Sequence, residues 1–263
     1  MPAAFDHYAE EYDRHFTNTG IGIAQRLQVL SVLKKHLTPA QKVLELNCGT
    51  GEDALWLARV GQDVLATDAS SKMIEVAINK VKKNADSLSL HFLQATFEEV
   101  LPKTNHQLFH LIFSNFGGLN CIDKETLTKL SADFCKLLLP NGKLILTIMS
   151  RNCKWEQMYF QMKGDRQKAF RRKEASGVST TIYTQTFVTH FYSSVDIADA
   201  FKDEFHTISV HPVGLLVPPS YLQPFFEKKR LLLQFLSSMD RLFSGCGLLA
   251  DHADHFVIVL QKK

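Results

Sequence analysis

Two glycines and two carboxylates stand close together in the stretch from residue 42 to residue 73. Gly49 and Gly51 follow a short apolar run, and Glu45 lies inside that run. Asp68 ends the next apolar run. Glycines without a Cβ let the backbone pass close beneath a ligand. A carboxylate at the end of a neighbouring strand can accept two hydrogen bonds from a ribose diol. The spacing therefore predicts a site for a nucleoside-containing ligand.

Strand, turn, helix and strand must follow one another to hold these residues. The runs at 43–46 and 64–67 are short, apolar and strand-like, and a helical pattern covers residues 52–60 between them. Gly61 supplies a stop for this helix. The helix start offers free N–H groups and a partial positive charge above the glycine turn. This order is that of a Rossmann-like unit.

The motif itself distinguishes between two classes of cofactor. Gly-x-Gly-x-x-Ala at 49–54 satisfies the loose dinucleotide fingerprint, and Asp68 lies at roughly the spacing of its ribose-binding acid. The run Val-Leu-Glu-Leu-Asn-Cys-Gly-Thr-Gly, followed by Asp-Ala-Ser-x-x-Met at 68–73, resembles motif I and the next acidic motif of class I S-adenosylmethionine-dependent methyltransferases. An acidic residue inside the first strand, here Glu45, is usual in that family and unusual in NAD enzymes.

The resemblance implies that these residues bind S-adenosyl-L-methionine in groups. The methionine end would be held by Glu45 and by the backbone of Gly49, Thr50 and Gly51, and Cys48 would be a residue of the same cofactor loop. Asp68 would hold the ribose hydroxyls, while Ala69 and Met73 would flank the adenine. Asn47 departs from the family pattern, in which glycine is more usual. Its side chain would either reach the methionine carboxylate or crowd it.

An aromatic segment near the start of the sequence, residues 5–16, has two interpretations. Its aromatic residues, Phe5, Tyr8, Tyr12 and Phe16, recur at steps that place them on one face of a helix. Packing of that face on the sheet is one explanation. The segment also resembles the opening of small-molecule methyltransferases, where it folds over the bound cofactor as a lid. Tyr8 and Tyr12 would then cover the cofactor.

Two strand ends further along the chain complete the predicted site. Thr96 stands where related enzymes carry an aspartate for the adenine amino group, which leaves backbone groups and the nearby ring of Phe97 to hold adenine. Asn115 and Phe116 follow a strand at a position that resembles the family's motif IV. There they would line the boundary between cofactor and acceptor. A glycine turn alone also explains the run Asn-Phe-Gly-Gly at 115–118.

Apolar strands that alternate with helices predict the fold class, because this order implies a parallel sheet covered on both faces. The last part, strand, helix-bearing excursion and strand, resembles the antiparallel sixth–seventh pair of methyltransferase sheets. We expect an α/β fold with a Rossmann-like, doubly wound, seven-stranded and mainly parallel sheet, an antiparallel C-terminal strand and a small inserted lid or acceptor region. The predicted parts are a helical lid at 1–40, the cofactor-binding core at 41–150, the insert at 151–192 and the end of the core sheet at 193–263.

The second half of the chain also yields expectations for single elements. Alternation predicts one strand over Thr181–Tyr192, and the region after Pro219 predicts one long helix over Tyr221–Phe243. The insert contains a basic run formed by Lys163, Arg166, Lys168, Arg171, Arg172 and Lys173. A solvated helix face is the simpler explanation of such a run. The alternative is contact with an anionic acceptor that carries a carboxylate or a phosphate.

Composition narrows the class of protein. The 263 residues are 45% hydrophobic and 22% charged, which is typical of a soluble globular protein. No run predicts a membrane span or a secretion signal, so no membrane association is expected. The five cysteines are scattered without a Cys-x-x-Cys pair, which favours reduced thiols in a cytoplasm and no metal site. A net charge of +3 is too weak to indicate nucleic acid. A monomer or a homodimer is expected.

Three functions remain open from the sequence. The first is a methyltransferase that moves a methyl group to a small-molecule acceptor by in-line displacement, which needs alignment and exclusion of water but no protein nucleophile. The strand histidines His110, His190 and His211 do not identify a catalytic base. The second is an NAD(P)-dependent oxidoreductase on the same type of sheet. The third is a non-catalytic protein that binds a nucleoside cofactor, which only Thr96 and Asn47 support.

Overall fold

The computed structural model describes residues 9–82, 88–182 and 185–263. Its strands are β1 (Lys42–Leu46), β2 (Asp63–Asp68), β3 (Leu90–Gln94), β4 (Phe109–Ser114), β5 (Leu138–Met149), β6 (Val178–Ile182), β7 (Gln185–Thr189), β8 (Phe205–Val213) and β9 (His255–Lys262). Seven of them form one sheet in the order β3-β2-β1-β4-β5-β9-β8. The pairings from β3 to β5 are parallel, and β9 runs antiparallel to both of its neighbours. The predicted sheet, with its antiparallel C-terminal strand, is confirmed.

Helices cover both faces of this sheet. They are α1 (Ala9–Tyr12), α2 (Gly20–Lys34), α3 (Glu52–Arg59), α4 (Ser71–Lys82), α5 (Val100–Lys103), α6 (Lys124–Leu137), α7 (Lys154–Met162), α8 (Arg166–Phe170), α9 (Ser194–Phe201), α10 (Gln223–Phe226) and α11 (Arg230–Phe243). A π-helical turn, Asp13–Thr17, joins α1 to α2. Short 3-10 turns occur at 118–121, 171–173, 220–222 and 247–252.

The core has two layers because both faces of the sheet are buried. Helices α2, α3 and α4 cover one face, and α5, α6 and α9 cover the other. In β1, Val43 faces the first layer and Leu44 the second, and both are fully buried. A strand that is buried on both faces has a nearly continuous apolar sequence, as the runs at 43–46 and 64–67 do.

Side-chain caps fix the starts of several helices. Thr19 Oγ1 accepts the N–H of Gly22 at 3.0 Å and begins α2. At α6, the Asp123 carboxylate accepts the N–H of Thr126 at 2.8 Å. Ser193 begins α9 with a reciprocal capping box to Asp196. Such caps satisfy N–H groups that have no partner inside the helix.

The prediction of a single strand over Thr181–Tyr192 is wrong in part, because the range contains the end of β6 and the whole of β7. Strand β7 covers only part of that range and pairs antiparallel with β6, outside the main sheet. Tyr192 instead forms an isolated parallel bridge with Ser150 near the end of β5. Alternation records which side chains face the interior, but it does not show with which strand a segment pairs.

The predicted long helix over Tyr221–Phe243 is also wrong, because α10 and α11 are separate helices. The break between them lets Phe226 of α10 and Leu233 of α11 pack into one small core with Ile21 of α2. Gln223 also accepts the N–H of Ile21 at 3.0 Å through its side chain. These tertiary contacts stop the helix where local sequence alone would continue it.

Candidate functional site

The carboxyl ends of β2, β1 and β4 meet at one edge of the sheet, because these strands are parallel neighbours. The predicted residues follow these ends: Asp68 ends β2, Asn47 follows β1 and Asn115 follows β4. In parallel α/β sheets, ligands bind in the crevice beyond these strand ends. This edge is the candidate site.

The glycine loop between β1 and α3 has the backbone conformation that its sequence predicts. Gly49 and Gly51 have φ values of +54° and +75°, in the left-handed region that residues with a side chain rarely adopt. A Cβ on Gly51 would lie 2.9 Å from the Cβ of Ala77 on α4, so this glycine allows close packing of helix and loop. A Cβ on Gly49 would meet nothing within 4 Å. The backbone therefore faces open space at Gly49, as a ligand-binding turn requires.

Asp68 is held in a fixed orientation at the end of β2. Its Oδ2 accepts the N–H of Gly49 at 2.9 Å, and its Oδ1 accepts the N–H of Ser70 at 2.8 Å. A carboxylate oxygen can accept more than one hydrogen bond. The half-buried carboxylate is thus tied to the glycine loop in a geometry that suits a ribose diol.

Glu45 is a buried carboxyl group inside β1, with only 1% of its surface exposed. Burial raises its pKa well above the usual range, and the nearby Asp53 and Asp68 carboxylates raise it further, although Arg26 acts in the opposite direction. Its Oε2 has no hydrogen-bond partner among the residues that the structure describes. A buried acceptor without a partner is costly. This atom therefore fits the α-ammonium group of a methionine moiety.

The side chain of Asn47 makes contacts within the protein that neither of the two alternatives from the sequence predicted. Its Nδ2 donates to the backbone oxygen of Asn115 at 2.6 Å, and its Oδ1 accepts from Ser114 Oγ at 2.5 Å. A Cβ on Gly118 would lie 2.4 Å from Asn47 Cγ, so the glycine at this position makes room for the amide. The side chain of Asn47 ties the end of β1 to the end of β4. Its contact with a cofactor stays a prediction.

Cys48 is a loop thiol and not an activated nucleophile. Its side chain is buried, and burial raises its pKa well above the usual range, with further increases from Asp68 and Glu45. The Sγ atom lies 3.7 Å from the backbone oxygen of Gly49. The thiol is therefore protonated at neutral pH.

The N-terminal segment docks onto the glycine loop through Asp13. Thr50 Oγ1 donates to one oxygen of Asp13 at 2.6 Å, and Lys80 Nζ lies 2.7 Å from the other. Burial acts to raise the pKa of Asp13, but the hydrogen bonds from Lys80 and Thr50 outweigh it and lower this pKa. Tyr12 is half-buried in the same segment, whereas Tyr8 lies outside the described residues. The lid role of both tyrosines stays a prediction.

The strand end at Asn115 and Phe116 is fixed by a buried polar network. Asn115 Nδ2 donates to Asp53 Oδ2 at 2.8 Å, and Arg26 Nε lies 3.1 Å from Asp53 Oδ1. Asn115 Oδ1 accepts the N–H of Phe116, whose φ is +41°. The guanidinium of Arg26 also lies 5.7 Å from the centre of the Phe116 ring. Helix α2 and helix α3 thus both support the residues predicted to face the acceptor.

The residues predicted to hold adenine lie at the ends of two neighbouring strands, β2 and β3. Ala69 is exposed, and Met73 is buried in the first turn of α4. Thr96 is exposed, and its N–H donates to the carboxylate of Glu99 at 3.0 Å. Phe97 is half-buried and packs against the core. The backbone N–H of Thr96 can therefore bind adenine only if Glu99 releases it.

Sequence reasoning missed a histidine at the same edge. Because β9 is antiparallel, its first residue, His255, lies opposite Met149 at the carboxyl end of β5. The His255 ring lies edge-on to Phe116, with centres 5.5 Å apart. Its Nδ1 is 3.3 Å from Asp254 Oδ2. The adjacent Asp-His pair at the start of the last strand was the available signal.

Asp254 is ionised in spite of its burial. Burial acts to raise its pKa, but the charges of His255 and Arg172 outweigh it and hold the pKa well below the usual range. Arg172 NH2 lies 2.7 Å from Asp254 Oδ1, and Gln25 Nε2 donates to Asp254 Oδ2 at 3.0 Å. A carboxylate held in this way can orient the neighbouring imidazole through Nδ1.

The basic run of the insert is partly neutralised by the chain itself. Arg172 is buried and pairs with both Asp254 and Glu156, while Arg171 Nε lies 2.8 Å from Glu156 Oε1. Lys168 pairs with Asp165 at 3.1 Å. Half of the run therefore has structural partners, which weakens the hypothesis of an anionic acceptor.

In residues 9–82, 88–182 and 185–263, no group of three or more His, Cys, Asp or Glu residues could hold a metal ion. Within the same ranges no helix is long and apolar enough to cross a membrane. A cavity of about 330 Å³ lies at the opposite edge of the sheet, near Lys42, Asp63 and Phe109. It is separate from the candidate site.

Sequence comparisons match this chain to known proteins. Residues 43–142 match a family model described as a methyltransferase domain. An uncharacterized protein of Methanocaldococcus jannaschii is 26% identical over 86% of this chain and 84% of its own length. A ubiquinone/menaquinone biosynthesis C-methyltransferase of Legionella pneumophila is 28% identical over 54% of this chain. The match covers 56% of that enzyme, so the chain spans about half the length of this curated relative.

Solved structures with the same fold cover most of the chain. A protein from Pyrococcus horikoshii matches with a TM-score of 0.62 and 17% identity, over 96% of this chain and 99% of its own. A methyltransferase from Methanosarcina mazei, described as SAM-dependent, matches with a TM-score of 0.59 and 16% identity, over 88% and 96%. The CcbJ methyltransferase of Streptomyces caelestis matches with a TM-score of 0.60 and 13% identity, over 89% and 88%. At these identities the matches show a shared fold.

Proposed function

We propose that this chain is a class I S-adenosylmethionine-dependent methyltransferase, whose cofactor is S-adenosyl-L-methionine, and that it methylates a small-molecule acceptor. One observation carries the proposal: Glu45, the open glycine loop and Asp68 converge at a single sheet edge. Oε2 of the buried Glu45 carboxyl has no hydrogen-bond partner among the described residues and suits the ammonium group of the cofactor. The open backbone at Gly49 suits the methionine end, and the fixed Asp68 carboxylate suits the ribose.

Each of these residues has a separate part in cofactor binding. Asp68 accepts hydrogen bonds from the ribose hydroxyls while the N–H groups of Gly49 and Ser70 keep it in place. Glu45 receives the α-ammonium group, which compensates its burial. When bound, the cofactor supplies an electrophilic methyl group on a sulfonium. The protein's remaining tasks are to align an acceptor with that methyl group and to exclude water.

The docked N-terminal segment and Phe116 align the acceptor with the methyl group and exclude water. Asp13 fixes the segment to Thr50 of the glycine loop and to Lys80 of α4. Phe16 of the same segment packs on Phe116, with ring centres 5.1 Å apart. Two apolar rings at the boundary between cofactor and acceptor exclude water from the transfer and favour an acceptor with an apolar surface.

His255 supplies a proton acceptor at this boundary. A carbon or oxygen acceptor loses a proton when it is methylated, and histidine is the side chain best matched to that task near neutral pH. Asp254 faces Nδ1, so the other ring nitrogen, Nε2, takes the proton. The imidazolium that forms is stabilised by the Asp254 carboxylate.

The acceptor class follows from this chemistry. We propose a small, largely apolar molecule whose methylated carbon or oxygen carries an exchangeable proton. One relative is named a ubiquinone/menaquinone biosynthesis C-methyltransferase, and that name supports a carbon acceptor but not one compound. The five free cysteines agree with a reducing, cytoplasmic setting for the reaction.

Calorimetry with S-adenosylhomocysteine and with NAD tests the proposal. We expect the first to bind and the second not to bind. Asp68→Ala should weaken S-adenosylhomocysteine binding by about 1–3 kcal/mol, because charge-assisted hydrogen bonds to the ribose are lost. Asp63→Ala, at the opposite end of β2, serves as the control and should leave binding unchanged. A folded protein that does not bind S-adenosylhomocysteine would refute the proposal.

A further inference from the structure

Helix α11 exposes a large apolar surface, which we name the α11 face and define as Leu231, Leu232, Phe235, Leu242 and Phe243. Leu231, Phe235 and Leu242 expose 82%, 60% and 74% of their surfaces. With 3.6 residues per turn, all five side chains fall within roughly one third of the helix circumference. Contiguous exposed apolar patches of this kind mark interaction surfaces.

The rest of the protein fixes the direction of the α11 face. On the other side of the helix, Leu233 and Asp240 are buried. Asp240 Oδ2 accepts from Gln28 Nε2 and from the N–H of Val217, both at 3.0 Å. Leu233 packs in the small core shared with α2. Helix α11 therefore cannot turn its apolar side inward without breaking these buried contacts.

Exposed basic residues lie near both ends of the α11 face. Lys228, Lys229 and Arg230 stand at the start of the helix, and Arg241 stands in its last turn. The segment 227–243 has only one exposed acid, Glu227, since Asp240 is buried. Phe225, also exposed, lies beside them with the Lys229 ammonium 3.8 Å from its ring centre.

An apolar face with basic residues near its ends is the pattern of a helix that lies in a membrane interface. Leucine and phenylalanine side chains enter the boundary between headgroups and acyl chains, while lysine and arginine contact anionic headgroups. We infer that the α11 face docks on the surface of an anionic lipid bilayer. This inference does not depend on the proposed methyl transfer, and it revises the sequence expectation that the protein has no membrane contact.

A second copy of the chain fits the same surface less well. Two α11 faces packed around a twofold axis would bring two sets of basic residues close together. Four exposed cations on each copy would repel one another, with a single exposed acid on each side to offset them. An anionic bilayer satisfies the apolar residues and the cations together.

Co-sedimentation with vesicles tests the docking. The wild-type chain should bind vesicles made of equal parts of phosphatidylserine and phosphatidylcholine. The variant L231Q/F235Q/L242Q should show a partition coefficient lower by roughly tenfold or more, because buried leucine and phenylalanine side chains are the main apolar contribution. Val195→Gln is the matched control, since Val195 is 65% exposed on α9, on the opposite face of the sheet. It should bind like the wild type.

The cations provide an independent test. K228Q/K229Q should weaken binding to the same vesicles by about fivefold for each lysine, and phosphatidylcholine vesicles should bind the wild type much more weakly. All variants should have the same midpoint of thermal unfolding as the wild type, because the altered side chains are exposed. Equal binding to both kinds of vesicle, or undiminished binding of L231Q/F235Q/L242Q, would overturn the inference. So would a dimer in lipid-free solution that this variant dissociates.

Discussion

At the scale of single residues, the site is a set of acids whose environments give them different protonation states. Burial and neighbouring carboxylates raise the pKa of Glu45, whereas paired cations hold the pKa of Asp254 low. Asp68 stays in contact with backbone N–H groups at the protein surface. In the proposed function these environments suit different roles: Glu45 would bind a cation, Asp68 would bind hydroxyl groups, and Asp254 would orient a histidine.

Glu45→Gln should stabilise the cofactor-free protein and yet weaken binding. The pKa of Glu45 is raised on folding, so the native state binds more protons than the unfolded chain between the unfolded and the folded pKa values. The free energy of unfolding therefore falls as the pH rises through this window, and the Gln variant lacks this decrease. Urea unfolding across pH 4 to 8 measures it.

The same variant separates stability from function. Without its carboxylate, the chain loses a partner for the α-ammonium group, and S-adenosylhomocysteine should bind about tenfold or more weakly. Glu52→Gln, a half-exposed acid at the start of α3, is the control. Equal affinities of Glu45→Gln and wild type would remove Glu45 from the binding site.

His255→Gln should retain cofactor binding and lose turnover. The residue lies beyond Phe116 from the glycine loop, so S-adenosylhomocysteine affinity should stay within twofold. Loss of a general base should reduce kcat by about 10²–10⁴-fold. A screen of phenols and quinols with radiolabelled cofactor measures it. His211→Gln on β8 is the control. A variant with full activity would exclude His255 as the base.

At the scale of elements, the sequence predicted the features that depend on residues close together in the chain. The turn conformation at Gly49 and Gly51 depends on residues within one βαβ unit, so their types and spacing were sufficient. The contact between Phe116 and His255 joins residues far apart in the chain, and no spacing rule reaches across that distance. The break between α10 and α11 likewise comes from packing on α2 and has no strong local signal.

The docked N-terminal segment yields a prediction about cofactor exchange. Asp13→Asn should raise the dissociation rate of S-adenosylhomocysteine about fivefold, the equivalent of about 1 kcal/mol, because the ties to Thr50 and Lys80 weaken. Because the pKa of Asp13 is lowered on folding, its contribution is present above the unfolded pKa and is lost as the pH falls through the folded pKa. Stopped-flow fluorescence at pH 7 measures the rate.

Glu10→Gln provides the control for this segment. Glu10 is an exposed acid in α1, close to Asp13 in sequence. Its replacement changes the net charge by the same amount without touching the tie to the glycine loop. If both variants raise the dissociation rate equally, the effect comes from the change in net charge alone. The contacts of Asp13 then do not hold the segment specifically.

At the scale of the whole molecule, one buried cation joins the insert to the sheet. Arg172 follows α8, and its side chain reaches Glu156 of α7 and Asp254 before β9. Its NH1 also donates to the backbone oxygens of Ser150 and Asp254, at 3.2 and 3.0 Å. The ends of β5 and β9, and with them His255, are thus held by a residue of the insert.

Arg172→Ala should therefore destabilise the protein far more than Arg171→Ala, although the two residues are adjacent and share Glu156. Removal of Arg172 takes a buried cation away from Asp254 and leaves Glu156 paired with Arg171 alone, which costs about 3–5 kcal/mol. The Arg171 side chain is 38% exposed, and its pair with Glu156 contributes about 1 kcal/mol or less. Urea unfolding at pH 7 measures both. Because protonation of Asp254 relieves the unpaired charge, the deficit of Arg172→Ala should shrink as the pH is lowered. Equal losses in the two variants would show that the insert is not anchored through Arg172.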